Sequence, residues 1–273
     1  MKTRATLSYC GDLTRRHDPD RFLLALLMPP ETREALFALF AFNYEIAKTR
    51  EVVSDTTLGL IRLQWWRDAL GEAFNGAPPG ENEILPALAE AIEERALPKQ
   101  DFEQLIYARE FDLEDMLPET LGGLEKYADF TNTGLNRLAL RIIGQSEPED
   151  NLAALSAAYG MTGLLRALPG HARQHRCYLP ADLLAARDID PASLQSPAMQ
   201  NPVSPDILRP VIRDVAHHAR ALLTRTKPQS RYGRKMRQMT TLYLRQIEKN
   251  DYNPYSGRMQ LPPPFFHIRI VMA

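Results

Sequence analysis

Residues 35–54 read ALFALFAFNYEIAKTREVVS, and their spacing decides the fold. Leu36, Phe37, Phe40, Ala41, Tyr44 and Ala47 recur at intervals of three and four, the period of one face of a helix and not of a strand. The helix reads from Glu31 to about Val53. Pro29-Pro30 bounds it in front, and Ser54-Asp55 behind it can cap the next helix.

Outward from that stretch the same period returns. DPDRFLLALLM (18–28) is a helix with a plausible cap, and TTLGLIRLQWWRDALGEAF (56–74) offers Ile61, Leu63, Trp65 and Leu70 for burial. ILPALAEAIEERA (84–96) and KQDFEQLIYAREFDLED (99–115) follow. A long helix over 121–144 then closes on Gly144, a C-cap by residue type. NLAALSAAYGMTGLLRAL (151–168) runs to Pro169-Gly170, where the removed hydrogen bond and the ring clash predict a break. Residues 186–208 are rich in Pro and Ser and read as a surface loop with room for one short helix. Helices over 206–226 and 232–250 precede an irregular tail, 251–273. Eight to ten helices without a founding strand predict one all-α domain covering 1–273.

Composition narrows the function classes. The chain has 273 residues, 44% hydrophobic and 25% charged, with a formal net charge of -1, so bulk charge calls for no nucleic acid. Two cysteines, Cys10 and Cys177, make neither a disulfide framework nor a metal spacing. The opening residues lack the apolar core of a secretory signal. No window reaches the roughly eighteen apolar residues of a membrane span, and mean hydropathy is -0.33. The expectation is a cytoplasmic protein, at most peripheral at the inner membrane.

The oddest segment is LLRALPGHARQHRCYLP, residues 164–180, which strings Arg and His along a turn with no carboxylate among them. Together with 35–54 and LGLIRLQWWRDAL (58–70), it resembles the squalene/phytoene synthase family, an all-α branch of the trans-isoprenoid synthases. KYADFTNTGLNRLALRIIG (126–144) is similar to the helix leading into that family's second site. The resemblance implies a helical bundle around a central cavity. It also implies Mg²⁺ held by aspartates four residues apart on two helices, since ionising an allylic diphosphate needs metal to neutralise the leaving group.

By the same resemblance, the first aspartate set falls on Ala47, Lys48 and Glu51, with Arg50 between them. The second falls on Ala167 and His171, after Arg166 and before Arg176 and Tyr178-Leu179-Pro180. These positions are expected at the cavity mouth, with no catalytic residue and no metal among them. One branch of the family is known in this state, the branch that includes the mitochondrial assembly factor of respiratory complex I. The Ala-Phe-Asn-x-Glu-x-Ala of 41–47 and the LPADL of 179–183 resemble it.

Three readings follow. The first is a non-catalytic protein acting in complex I assembly or binding a lipid or isoprenoid-like ligand, with complex I subunits or a membrane surface as partners and no cofactor. The second is an active prenyltransferase joining two allylic diphosphates, with Mg²⁺. The third is a helical interaction module with no ligand.

Other features have blander readings. Trp65-Trp66-Arg67 reads as core packing beside an Arg salt bridge. Glu110, Asp112, Glu114 and Asp115 form a solvated acidic helix end. His217-His218 and the pair His171/His175 lack the partners that a zinc site needs. The cations of 206–250, with exposed Phe265-Phe266 in the tail, suit an anionic lipid or an acidic protein.

Overall fold

The computed structural model describes residues 7–53, 55–77, 80–114, 117–194 and 204–273; Ser54, Asp115 and residues 195–203 of the 186–208 loop lie outside them. Among the described residues every regular element is a helix. The chain divides into two compact units, Met1–Glu114 with Gly134–Ser146, and Asp115–Thr133 with Glu147–Ala273.

The first unit carries α1 (Tyr9–His17), α2 (Pro19–Leu26), α3 (Arg33–Ala47), α4 (Thr49–Val52), α5 (Thr56–Phe74), α6 (Leu85–Arg95) and α7 (Lys99–Leu113). α3 is its spine, with α1, α2, α6 and α7 packed around it. All eight residues from Leu36 to Asn43 are buried. The expected single helix from Glu31 to Val53 is a 3₁₀ turn at Pro30–Thr32, then α3, then α4 after a hinge at Lys48. At the hinge Glu51 N–H bonds Lys48 C=O at 2.8 Å, an i to i+3 tightening of the ladder.

α1 escaped the sequence reading because its outer face is Arg15-Arg16-His17. Its fold signal is local. Ser8 accepts from Gly11 N–H at 3.0 Å as an N-cap, and Cys10 and Leu13 are buried. α5 corrects an expectation of phase. Leu63 and Leu70 are buried as expected, but the third inward residue is Trp66, while Ile61 and Trp65 are 61% and 48% exposed. Gly59, Leu63, Trp66 and Leu70 form the inward stripe, and Trp66 meets Phe42 edge-on at 5.3 Å. Phe42 also touches Phe102 of α7 at 5.5 Å. Removing a ring from this cluster would cost about 3–5 kcal/mol.

α8 (Leu121–Ile142) has residues in both units. The second unit continues with α9 (Glu149–Arg173), α10 (Ala181–Ala185), α11 (Pro191–Leu194), α12 (Pro205–Arg225), α13 (Arg231–Lys249) and α14 (Phe266–Val271). α12 and α13 both pack on α9. The carboxylate of Glu147 accepts from Ser230 N–H at 2.7 Å, Ser230 Oγ at 2.6 Å and Gln229 N–H at 3.1 Å, an anion on the orphan donors opening α13.

Pro169 does not break its helix. α9 runs through it to Arg173, because one missing N–H removes a single rung while Leu165 and Leu168, in the turn before it, are held in the core. The helix ends where His175, at φ 57°, turns left-handed. His175 N–H then bonds Ala172 C=O at 3.2 Å and Arg176 N–H bonds His171 C=O at 2.9 Å, the paired bonds of a Schellman end.

The tail, read as irregular, contains a 3₁₀ turn at Gly257–Gln260 and α14. α14 forms because Phe266 and Ile270, four apart, are buried and Phe266 packs against Tyr243 of α13 at 4.8 Å. Phe265 and Phe266 therefore part company: the first is 76% exposed and the second 3%.

Candidate functional site

The residues singled out from the sequence fall into two groups, one in each unit. In the first unit the end of α3 and the start of α4 carry Ala47, Lys48, Arg50 and Glu51. Lys48 is engaged locally. Its ammonium lies 2.5 Å from Glu45 Oε1, one turn back, and 4.9 Å above the Tyr44 ring. The other oxygen of Glu45 takes the guanidinium of Arg62, on α5, at 2.6 Å. Glu45 is thus an acid clamped by two cations, with 12% of its side chain exposed. Tyr44 is itself stacked on His17 at 4.2 Å. Ala47 and Arg50 are half-buried and Glu51 is exposed.

In the second unit α9 and the segment after it carry Arg166, Ala167, His171, Arg176 and Tyr178. Because α9 is unbroken, Ala167 and His171 stand four residues apart on one helical face. The guanidinium carbon of Arg166 lies 3.4 Å from the centre of the Tyr243 ring. His171 meets Tyr178 edge-on at 4.8 Å, and Tyr178 stacks on Tyr127 of α8 at 5.4 Å. Arg176 is buried, 5.9 Å from the Tyr178 ring. Gly160 has a packing reason: a side chain there would meet Asn132 Nδ2 at 2.6 Å and Ala128 Cβ at 3.0 Å, so its absence lets α9 approach α8.

Sequence spacing found the positions but missed the partners. Glu45, Arg62, Tyr127 and Tyr243 complete the two groups, and of these only Glu45 was visible, inside the Ala-Phe-Asn-x-Glu-x-Ala run. A cation three residues after it was the available signal.

The remaining candidates resolve into structure. Arg67 bonds Glu103 at 3.0 Å and Glu110 at 2.8 Å; against the opposing effect of burial, the two carboxylates hold its guanidinium above the ordinary value. Asp112 pairs with Arg109 at 3.1 Å, so the described part of the acidic cluster is spoken for at Glu110 and Asp112. His218 pairs with Glu125, and His217 bonds the Tyr252 hydroxyl at 3.2 Å. His175 is exposed beyond the helix that carries His171. Burial pushes the Cys10 thiol up to about 12 and Cys177 to about 11, which makes both poor nucleophiles. Among the described residues, no three of His, Cys, Asp and Glu gather as metal ligands, and no helix is long and apolar enough to cross a membrane.

A family model for squalene/phytoene synthase matches residues 14–264. The chain belongs to the squalene/phytoene synthase family. Within the family it is 32% identical over 213 residues to complex I assembly factor 6 of Bos taurus, covering 77% of this chain. It spans 62% of the length of that protein. It is 28% identical over 199 residues to presqualene diphosphate synthase of Rhodopseudomonas palustris, covering 71% of this chain and 70% of that one. The fold is that of a squalene synthase from Alicyclobacillus acidocaldarius, with a TM-score of 0.73 at 22% identity over 90% of this chain and 94% of that chain. The all-α synthase architecture expected from the sequence is therefore the architecture observed.

Proposed function

We propose that this squalene/phytoene synthase-family chain does not transfer prenyl groups and acts in the assembly of respiratory complex I, with a lipid or isoprenoid-like molecule as its ligand. The observation that carries this reading is the clamp on Glu45. At the turn where the family resemblance puts metal-binding aspartates, the chain has a methyl group at 47 and an ammonium at 48, and the nearby acid is already neutralised by Lys48 and Arg62.

The donors at these positions do not suit Mg²⁺, which takes oxygen ligands in near-octahedral array. Glu51 alone brings a carboxylate; Ala167 and His171 bring a methyl group and an imidazole. Cations that would repel a metal cluster are suited to anionic groups; Lys48 and Arg50 offer them in the first unit, Arg166 and Arg176 in the second. The similarity to complex I assembly factor 6 supports the assembly role. Complex I subunits are then the partners and no cofactor is required.

Deletion of the gene tests the assembly role. The expected result is loss of assembled complex I and of NADH:ubiquinone activity, restored by the wild-type chain. Unchanged abundance and activity would overturn it. Mass spectrometry of lipid extracted from the purified protein tests the ligand.

A second reading is favoured by one observation. α9 keeps its helical platform through Pro169, and presqualene diphosphate synthase is among the relatives. Consumption of farnesyl or geranylgeranyl diphosphate with pyrophosphate release, dependent on Mg²⁺, would establish this reading; no turnover across both substrates and several divalent metals would end it.

A further inference from the structure

The cations of 206–250 separate into two sets. On α12, Arg209 pairs with Asp206 and Asp251 and Arg220 pairs with Glu248, while Asp214 takes Arg187 of the preceding segment. At the turn into α13 the balance fails. Lys227, Arg234 and Arg237 line one cleft of about 390 Å³ together with Gln238 and Ala273, and no carboxylate side chain lines it. Among the described residues, none of these three cations has a carboxylate within 4.0 Å; Arg234 and Arg237 bond only the carbonyls of Gln229 and Leu223. Lys235, buried one residue on from Arg234, feels the same field. Burial, then the charges of Arg231 and Arg234, hold it below the ordinary lysine value, and its ammonium bonds Val271 C=O at 2.6 Å.

That bond ties the cleft to α14, whose outer face is apolar. Phe265, Ile268 and Met272, at i, i+3 and i+7, are 76%, 57% and 82% exposed, with Val271 at the edge of the same face. Arg269 beside them is exposed and has no carboxylate partner among the described residues. Phe265 also holds a left-handed backbone, φ 56°, which is unfavourable for a bulky residue and sets its ring outward. A greasy face bordered by uncompensated cations matches the interface of an anionic bilayer, where rings enter the acyl boundary and cations meet phosphates. An acidic protein would use the cleft and leave the α14 face in water.

We propose that the α13–α14 corner is a docking surface for an anionic lipid bilayer, with Phe265, Ile268 and Met272 inserted and Lys227, Arg234 and Arg237 on the headgroups. The surface stands apart from the assembly role and from any lipid-like ligand of the proposed function.

Flotation of the full chain with vesicles tests it. Phosphatidylcholine vesicles containing phosphatidylglycerol should carry the protein, and pure phosphatidylcholine should carry little. Each charge removed, in Arg234→Gln and then Arg234→Gln/Arg237→Gln, should weaken binding about fivefold at low salt, and added salt should erase the difference. Phe265→Asn, which suits a left-handed backbone better, should weaken binding without lowering the melting temperature. Equal flotation with neutral vesicles, no flotation at all, or indifference to both variants would overturn the proposal. Binding of poly-glutamate without vesicle binding would also overturn it and assign the cleft to a protein partner.

Discussion

Arg166 on α9 sets its guanidinium carbon 3.4 Å from the centre of the Tyr243 ring on α13, joining two long helices of its unit. Tyr243 also packs against Phe266 of α14, so one ring couples three elements. The pairing is a cation–π contact that an aromatic replacement preserves and an aliphatic one does not. Tyr243→Leu is expected to cost at least about 0.5–2 kcal/mol through the lost ring, and Tyr243→Phe distinctly less. Urea titrations of both variants, compared at constant slope, check the ordering.

Glu45 holds Lys48 and Arg62 together. Glu45→Gln leaves two cations facing each other in a half-buried turn and is expected to destabilise the chain by about 1–3 kcal/mol. The double variant Glu45→Gln/Lys48→Met removes the repulsion and should recover part of that loss. A double-mutant cycle read by denaturant midpoints gives the coupling.

His175 closes α9 with a left-handed backbone that favours glycine. His175→Gly should stabilise the chain by roughly 0.5–1.5 kcal/mol, since no imidazole contact is lost at this exposed position and the strain is relieved. The expected readout is a higher melting temperature with unchanged helicity. A lower one would mean that the imidazole has a partner in solution.

The thiols of Cys10 and Cys177 are raised by burial to about 12 and about 11, from an ordinary value of 9. The folded chain therefore holds these protons longer than the unfolded one. The stabilisation is full below pH 9 and declines as pH climbs from there through 11 and 12. At pH 8 the native chain should resist alkylation by iodoacetamide, because roughly one Cys177 in a thousand is thiolate. Both cysteines should label at once in denaturant. Thiol counting before and after unfolding checks it.

The long periodic helices were legible because their apolar spacing is their cause: α12 and α13 bury the faces that their spacing marks, and α3, read as one apolar face, is buried all round from Leu36 to Asn43. What escaped depends on contacts that spacing does not carry. α5 has two apolar stripes, and only packing against Phe42 decides that Trp66 turns inward and Trp65 outward. α14 is too short to be helical alone and exists through Phe266 and Ile270. Pro169 looks like a stop in one dimension, yet the turn before it, anchored in the core by Leu165 and Leu168, carries the helix past it. At the site, residue types were readable by resemblance to the family, but the pairing of Lys48 with Glu45 and of Arg166 with Tyr243 required side-chain directions.

The triad of Lys48, Glu45 and Arg62 bears on how this sequence can evolve. Replacing Lys48 with an acid would set a second negative charge one turn from Glu45 and leave Arg62 as the single cation of the group. A carboxylate offered to a metal at 48 and an intact clamp on Glu45 are therefore mutually exclusive, so any change that gave this turn a metal ligand would also have to rebuild its ion pairs.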